Sequence, residues 1–426
     1  MSAGRQLRMG AAIAIAALVI LGGCGSDTFL GSDEGEGQGV TLNWFVATQP
    51  GGTIQEVAKR CTQESNGEYT VNVELLPTDA SQQREQLVRR LGAEDSTVDI
   101  IGMDVIWTAE FANAGWLRPW SGEQAQQVTE GIFDSVVETA SFEGQLYGAP
   151  FNSNTELLWY RTDLVKKAPT TWDEMISEAE RVNKFVQVQA NRYEGYTVWV
   201  NAMIESAGTQ ILSGPETVDL AEGPTEQALA MIGKLANSPA AAPDIDTSTE
   251  DTARLGFEAG TSAFMLNYTF ALSSAEANAP DIAKNMGAAV YPEVVPGTPS
   301  KPPLGGFNLG ISAYSDHPTE AFDAATCLSN PESQLTAVEL DGLPPSNQTL
   351  YKDKVVRKAY PGFSDEIERS IANAGPRPLT PAYSDLSLAI QRTLHPPASI
   401  DPTDPAPKYD ELRSALEDAV KRQGLL

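Results

Sequence analysis

Gly148-Ala149-Pro150-Phe151-Asn152-Ser153-Asn154-Thr155-Glu156-Leu157-Leu158-Trp159-Tyr160-Arg161 is the stretch on which the reading of this chain turns. A polar Asn-Ser-Asn knot sits between a proline-closed loop and a short apolar run, Leu157 to Tyr160. Strand–helix–strand–helix patterns precede it, and the same alternation restarts after it. One extended segment joining two such halves is how a hinge crossing between lobes reads in sequence. Asn152 and Asn154 then stand as amide donors and acceptors where two lobes meet, which is where ligand clefts lie. The fold class predicted is α/β, two-lobed, with the hinge between the lobes.

Upstream, Leu42, Trp44 and Val46 alternate on one face of a strand, Thr41 to Ala47. Ile54, Val57, Ala58 and Cys61 follow at helical spacing after a Pro-Gly turn. Tyr69, Val71, Val73 and Leu75 mark a second strand, Gln82 to Leu91 a helix, and Val98 to Met103 a mostly apolar strand of the buried kind. Asp104 stands at its carboxyl end, where open α/β sheets bind ligands, and Trp107 follows.

Downstream, Thr171 and Glu174 form a capping box, and Gly195 to Gly208 is an apolar helix holding Trp199 and Asn201. A helix containing Glu258 ends at Gly260. The strand Ser262 to Leu266 delivers Asn267 and Tyr268 at its end, and Gly305-Gly306-Phe307-Asn308-Leu309 is a second crossing. Thr319 to Leu328 is helical and returns to the first lobe. Arg377 lies in a Pro-rich loop before a helix from Tyr383 to Leu394. The division this predicts is 40–150 with 306–352 in lobe one, and 151–305 with 353–426 in lobe two.

The N-terminus reads as a targeting signal. Arg5 and Arg8 precede an apolar run, Met9 to Leu21, of about 13 residues, short of the ~20 that span a bilayer. Leu21-Gly22-Gly23-Cys24 resembles a bacterial lipobox, which predicts a signal peptide over 1–23, lipidation of Cys24 and a location on the outer face of the cell membrane. Residues 24–39 are a Gly-, Ser- and acid-rich tether. The 426-residue chain carries 29 Lys and Arg against 57 Asp and Glu, a net charge of −28. That balance repels phosphate backbones and anionic lipid, so nucleic acid is no partner. With Cys24 acylated, Cys61 and Cys327 remain as an even pair in an oxidising compartment. A disulfide between them is expected, two buried free thiols being the alternative.

The chemistry is that of binding. Only His317 and His395 are present, each beside proline, and no phosphate-loop, zincin or EF-hand spacing occurs. No cofactor, metal site or catalytic residue is predicted. Asp104, Asn152, Asn154, Glu258, Asn267, Tyr268 and Arg377 suit a neutral polyol, because carboxylates accept hydroxyl hydrogen bonds and Arg and Asn donate them. Gly306 and Phe307 allow close backbone approach and contact at the second crossing. Trp107, Trp199 and Tyr268 are candidate ring platforms, Trp199 being equally a core residue and Trp107 leaning towards the core. The alternatives are a surface glycosidase built on Asp104 and Glu258, with Glu156 a further carboxylate, or a binder of another oligosaccharide or a peptide.

Gly102-Met103-Asp104-Val105-Ile106-Trp107-Thr108-Ala109-Glu110-Phe111 resembles a signature of extracellular sugar-binding proteins of ABC importers. Together with the crossing stretch, Arg254-Leu255-Gly256-Phe257-Glu258, Gly305-Gly306-Phe307-Asn308-Leu309 and Arg377-Pro378-Leu379-Thr380-Pro381, it is similar to the trehalose-binding lipoproteins of actinobacteria (the LpqY type). The resemblance covers nearly all of the mature chain, both Cys61 and Cys327 included. It implies a maltose-binding-protein-like fold, capture of trehalose or a related disaccharide, and delivery to ABC permease subunits. It implies Asp104, Asn154, Glu258 and Arg377 as hydroxyl ligands and Tyr268 as the ring platform. The family has Trp at the position of Tyr268, an acidic residue near Gln49-Pro50, and a longer segment between Phe270 and Val295. These departures touch the exact sugar more than the role.

Overall fold

The structure, a computed structural model, describes residues 39–77 and 79–421. The signal peptide, Cys24 and the tether up to residue 38 lie outside the described residues. The sheet strands are β1 (Val40–Ala47), β2 (Tyr69–Leu76), β3 (Ile100–Asp104), β4 (Gly148–Arg161), β5 (Phe185–Gln187), β6 (Ser262–Tyr268), β7 (Met286–Ala289) and β8 (Leu304–Ser312). They run β2-β1-β3-β8-β4-β6-β5, with β7 also on β4 and the short Leu117–Arg118 on β8. The β1–β2, β1–β3 and β5–β6 pairs are parallel, whereas β4 and β8 are antiparallel to their neighbours.

The crossing stretch is thus one 14-residue strand, β4. Its first half pairs with β8, from Gly148↔Gly310 to Thr155↔Leu304, and its second half pairs with β6, from Glu156↔Tyr268 to Tyr160↔Phe264. A single strand therefore belongs to both halves of the sheet. Leu42, Trp44, Ala149, Phe151 and Leu309 share one core, while Leu158, Trp172, Trp199 and Phe264 share another. Tyr268 completes β6, where the sequence places it just past the strand. At Gly306 (φ 130) a Cβ would lie 2.2 Å from the Asn152 carbonyl, so the close packing of β8 on β4 requires glycine.

The helices cover these strands and are mostly those the periodicity predicts. They include α1 (Thr53–Glu64), α2 (Ala80–Gly92), α3 (Trp172–Arg181), α4 (Glu194–Ser206), α5 (Glu250–Glu258), α6 (Phe270–Asn278), α7 (Pro318–Ser329), α8 (Pro331–Asp341) and α9 (Tyr383–Leu394). The α3 box is only half as expected. Thr171 accepts from the Glu174 N–H at 3.1 Å, but the Glu174 carboxylate takes the Thr170 N–H at 2.8 Å instead of that of Thr171. α1 has no side-chain cap of its own; Asp341, at the end of α8, accepts from the Thr53 N–H at 3.1 Å. No helix among the described residues is long and apolar enough to cross a membrane.

Cys61 on α1 and Cys327 on α7 are bonded, with Cα atoms 5.8 Å apart and 266 positions of chain between them. The free-thiol alternative falls. A cross-link this long removes much conformational freedom from the unfolded chain. Cys61→Ser with Cys327→Ser is expected to cost about 2–5 kcal/mol, read as a lower melting temperature that reducing agent reproduces in the parent and leaves unchanged in the double variant.

Candidate functional site

β3 ends in Asp104, and antiparallel register sets Asp104, Phe307 and Asn152 side by side across β3, β8 and β4. Side chains two apart on a strand share a face, so Asn152, Asn154 and Glu156 project on one side of β4. Gly305 lies opposite Asn154, and Tyr268 opposite Glu156. In mid-sheet a residue is ordinarily covered on both faces, yet Gly305, Gly306, Phe307, Asn154 and Tyr268 are all only half-buried. These residues are therefore partly accessible to solvent, and together they outline the candidate hollow.

Arg377 closes it. Its guanidinium donates to Glu194, the first residue of α4, at 2.8 Å, and to Asp104 at 3.4 Å. The Tyr383 and Ser387 hydroxyls of α9 also donate to Glu194, Ser387 at 2.6 Å. Arg377 lies over the Tyr383 ring, 5.9 Å from its centre. Burial would push the guanidinium towards losing its proton, but Tyr383, Asp104 and Glu194 more than offset this, and it stays charged. Burial raises the Asp104 carboxyl above its usual range, and Arg377 pulls it part of the way back.

Tyr268 reports on the whole group. Burial holds its phenol well above its ordinary pKa, and Glu156 and Glu250 push it further; Arg377 opposes them and Asp104 adds to them. Four ionisable groups from four separate segments therefore surround one hydroxyl. Burial, with Glu250 nearby, pushes Glu156 up to about 8. The Tyr193 hydroxyl donates to Glu250 at 2.6 Å. Asn152 Oδ1, Glu156 Oε2 and Arg377 Nε are buried without a hydrogen-bond partner, a state rare for buried polar atoms.

Of the residues singled out in the sequence, Asp104 and Arg377 touch, Tyr268 feels the charge of both, and Asn152, Asn154 and Phe307 line the strands between. Three others are engaged elsewhere. Trp199 is 1% exposed and packs between Trp172 and Tyr196, so it offers no face to a ligand and is a core residue. Asn267 is fully buried, donating to the Glu250 carbonyl at 2.9 Å and accepting from the Tyr268 N–H at 2.9 Å; it fastens α5 to β6. The Glu258 carboxylate is held by Arg254 at 2.9 Å and Ser274 at 2.8 Å. It stands eight residues along α5 from Glu250, about 12 Å at 1.5 Å per residue, so the α5 carboxylate facing Tyr268 is Glu250. Gly306 makes the close β4–β8 contact and is half-buried beside Phe307.

Glu194, Glu250, Tyr193 and Tyr383 escaped the sequence reading. Each sits at or just before a helix start, where an acid reads as a partner for the helix dipole, and no periodicity separates the two roles. Arg377 also borders a cavity of about 880 Å³ lined by Glu138, Glu205 and Lys301. Burial raises Glu205 to about 8 against the pull of Asn201 and Lys301. Asp104, Asn154 and Tyr268 do not line that cavity. No group of three or more His, Cys, Asp or Glu suited to a metal ion occurs among the described residues.

Residues 56–363 match the family described as bacterial extracellular solute-binding protein. A probable ABC transporter-binding protein of Deinococcus radiodurans is 31% identical over 353 residues, which is 76% of this chain and 81% of that one. Maltose-bound MalE3 of T. maritima has a similar structure, with a TM-score of 0.76 at 24% identity over 89% of this chain and 99% of that one. The GacH receptor of Streptomyces glaucescens GLA.O reaches 0.76 at 20% identity, over 90% of this chain and 99% of that one. The fold is the two-lobed α/β fold of maltose-binding proteins. Such homologues bind solutes and are not enzymes, and with Glu258 held by Arg254 the two-carboxylate hydrolase alternative falls. Over most of its length, from Glu56 to Phe363, the chain belongs to the bacterial extracellular solute-binding protein family.

Proposed function

We propose that this chain is the lipid-anchored solute-binding component of an ABC sugar importer, capturing trehalose or a related α-glucoside and delivering it to membrane permease subunits. The observation that carries the reading is the meeting of Asp104 and Arg377 beside Tyr268, with half-buried Asn154 and Phe307 on the crossing strands. Acids, an amide, a guanidinium and an aromatic ring are what an uncharged polyol needs: acceptors and donors for its hydroxyls, and a flat partner for its ring. The relatives point the same way. The T. maritima protein was solved with maltose and the S. glaucescens receptor with acarbose, and a mannitol-binding protein of Pseudomonas aeruginosa is 27% identical over 107 residues. Trehalose itself rests on the motif resemblance, and anchorage through Cys24 on the N-terminal pattern.

In this reading lobe one is 40–150 with 306–352, lobe two is 151–305 with 353–426, and the lobes close on the sugar. Closure requires the solute to bind the closed state more tightly than the open one. In this division Arg377 is shared between the lobes, its partner Asp104 belonging to lobe one and its partner Glu194 to lobe two. The solute lies against Asp104, Asn154, Phe307 and Tyr268 rather than in the cavity beside Glu205, where those residues are absent.

In a thermal-shift panel of neutral disaccharides, trehalose is expected to raise the melting temperature most; a panel without any shift would remove the sugar reading. Asp104→Asn withdraws one charged hydrogen-bond acceptor, worth about 1.5–3 kcal/mol, or roughly tenfold to a hundredfold in affinity by titration calorimetry. Glu156 and Glu205 keep protons in the fold up to about pH 8, whereas unfolded carboxyls release theirs near pH 4.3. Their folded pKa is the higher one, so the stability they contribute is complete below the unfolded pKa and is lost as pH rises through about 8. Melting temperatures of the ligand-free protein should accordingly decline from about pH 5 to pH 8.5, and Glu156→Gln should flatten the decline.

A further inference from the structure

We infer that the hollow favours sugars carrying a protonated amine: Glu156 and Glu250, beside Tyr268 and Tyr193, form an acceptor corner for an ammonium group on the solute. This rests on the sugar-binding reading above and narrows its substrate class.

The geometry comes first. Glu156 shares a β4 face with Asn152 and Asn154, so the strand that contacts the solute also carries this acid. It is in register with Tyr268 on β6. The side chain is 1% exposed, and its Oε2 accepts from no donor. Burying a carboxyl oxygen unpartnered is costly, and the neighbouring acid Glu250 compounds the cost. Glu250 cannot swing away: Tyr193 donates to its carboxylate at 2.6 Å, and Asn267 holds its carbonyl at 2.9 Å.

The charge inventory agrees. Around Tyr268 stand three acids, Glu156, Glu250 and Asp104, and one cation, Arg377. That cation is already shared between Asp104 and Glu194. The corner therefore has acceptors in excess and lacks positive charge. A sugar hydroxyl donates one hydrogen bond, whereas an ammonium donates three and brings the missing charge. Bound beside Glu156, it lets that carboxyl ionise and form a charge-assisted hydrogen bond. The same excess of acids disfavours uronic and phosphorylated sugars.

The test measures affinities of the purified full chain near neutral pH for trehalose and for a set of its monoamino derivatives, each with one hydroxyl replaced by an ammonium group. At least one derivative is expected to bind roughly tenfold more tightly than trehalose, the gain of a charged over a neutral hydrogen bond. In Glu156→Gln, whose side chain keeps the shape and loses the charge, the ratio of the two affinities should fall to about one. If trehalose binds and no derivative binds more tightly, or if the preference survives in Glu156→Gln, the inference is overturned while the sugar reading stands. If neither trehalose nor any derivative binds, both fail.

Discussion

The antiparallel pairing of β4 with β8 is the constraint from which the rest follows. Seven residue pairs, from Gly148↔Gly310 to Thr155↔Leu304, tie the two halves of the sheet together, with a bulge between Phe307 and Asn308. Backbone hydrogen bonds across that ladder must be satisfied wherever it is buried, which holds both strands to one register. Register then decides what stands beside what: Phe307 between Asn152 and Asp104, Asn154 next to Gly305, Glu156 next to Tyr268. The glycine at 306 is the steric condition for that approach.

Electrostatics in the hollow follow from this placement. Arg377 is one cation between two acids, and burial strengthens its hold on both. Because Asp104 closes a strand on one side and Glu194 opens a helix on the other, the guanidinium couples two parts of the molecule as well as two charges. Glu156 is the contrasting case, an acid that burial keeps protonated because no cation reaches it. One hollow thus holds a compensated acid pair and an uncompensated acid.

The paths by which distant segments reach the site are long. Arg377 lies 273 positions from Asp104 and 183 from Glu194, and the Cys61–Cys327 bond closes a loop of similar length. Asp341 caps a helix 288 positions upstream. In each case a short-range interaction stabilises a contact whose formation costs loop-closure entropy, so the fold is held by the packing of its layers and not by local segments alone.

Much was already legible in the residues. Alternation marked β1 and β2 and helical spacing marked α1, because burying one face of each element demands a period that sequence displays directly; the helices read at 82–91 and 383–394 fall within α2 and α9. The crossing strand showed itself by a polar knot inside an extended run, Asp104 by its place at a strand end, and the cysteine pair by parity and compartment. Tertiary structure decided what no local pattern encodes: that Glu250 and not Glu258 faces Tyr268, that Trp199 is enclosed by Trp172 and Tyr196, and that Asn267 fastens a helix. The physical reason is that a carboxylate, an amide or an indole has the same sequence appearance whether its partner is a ligand or another side chain. Only the three-dimensional neighbourhood determines which partner is within 3 Å.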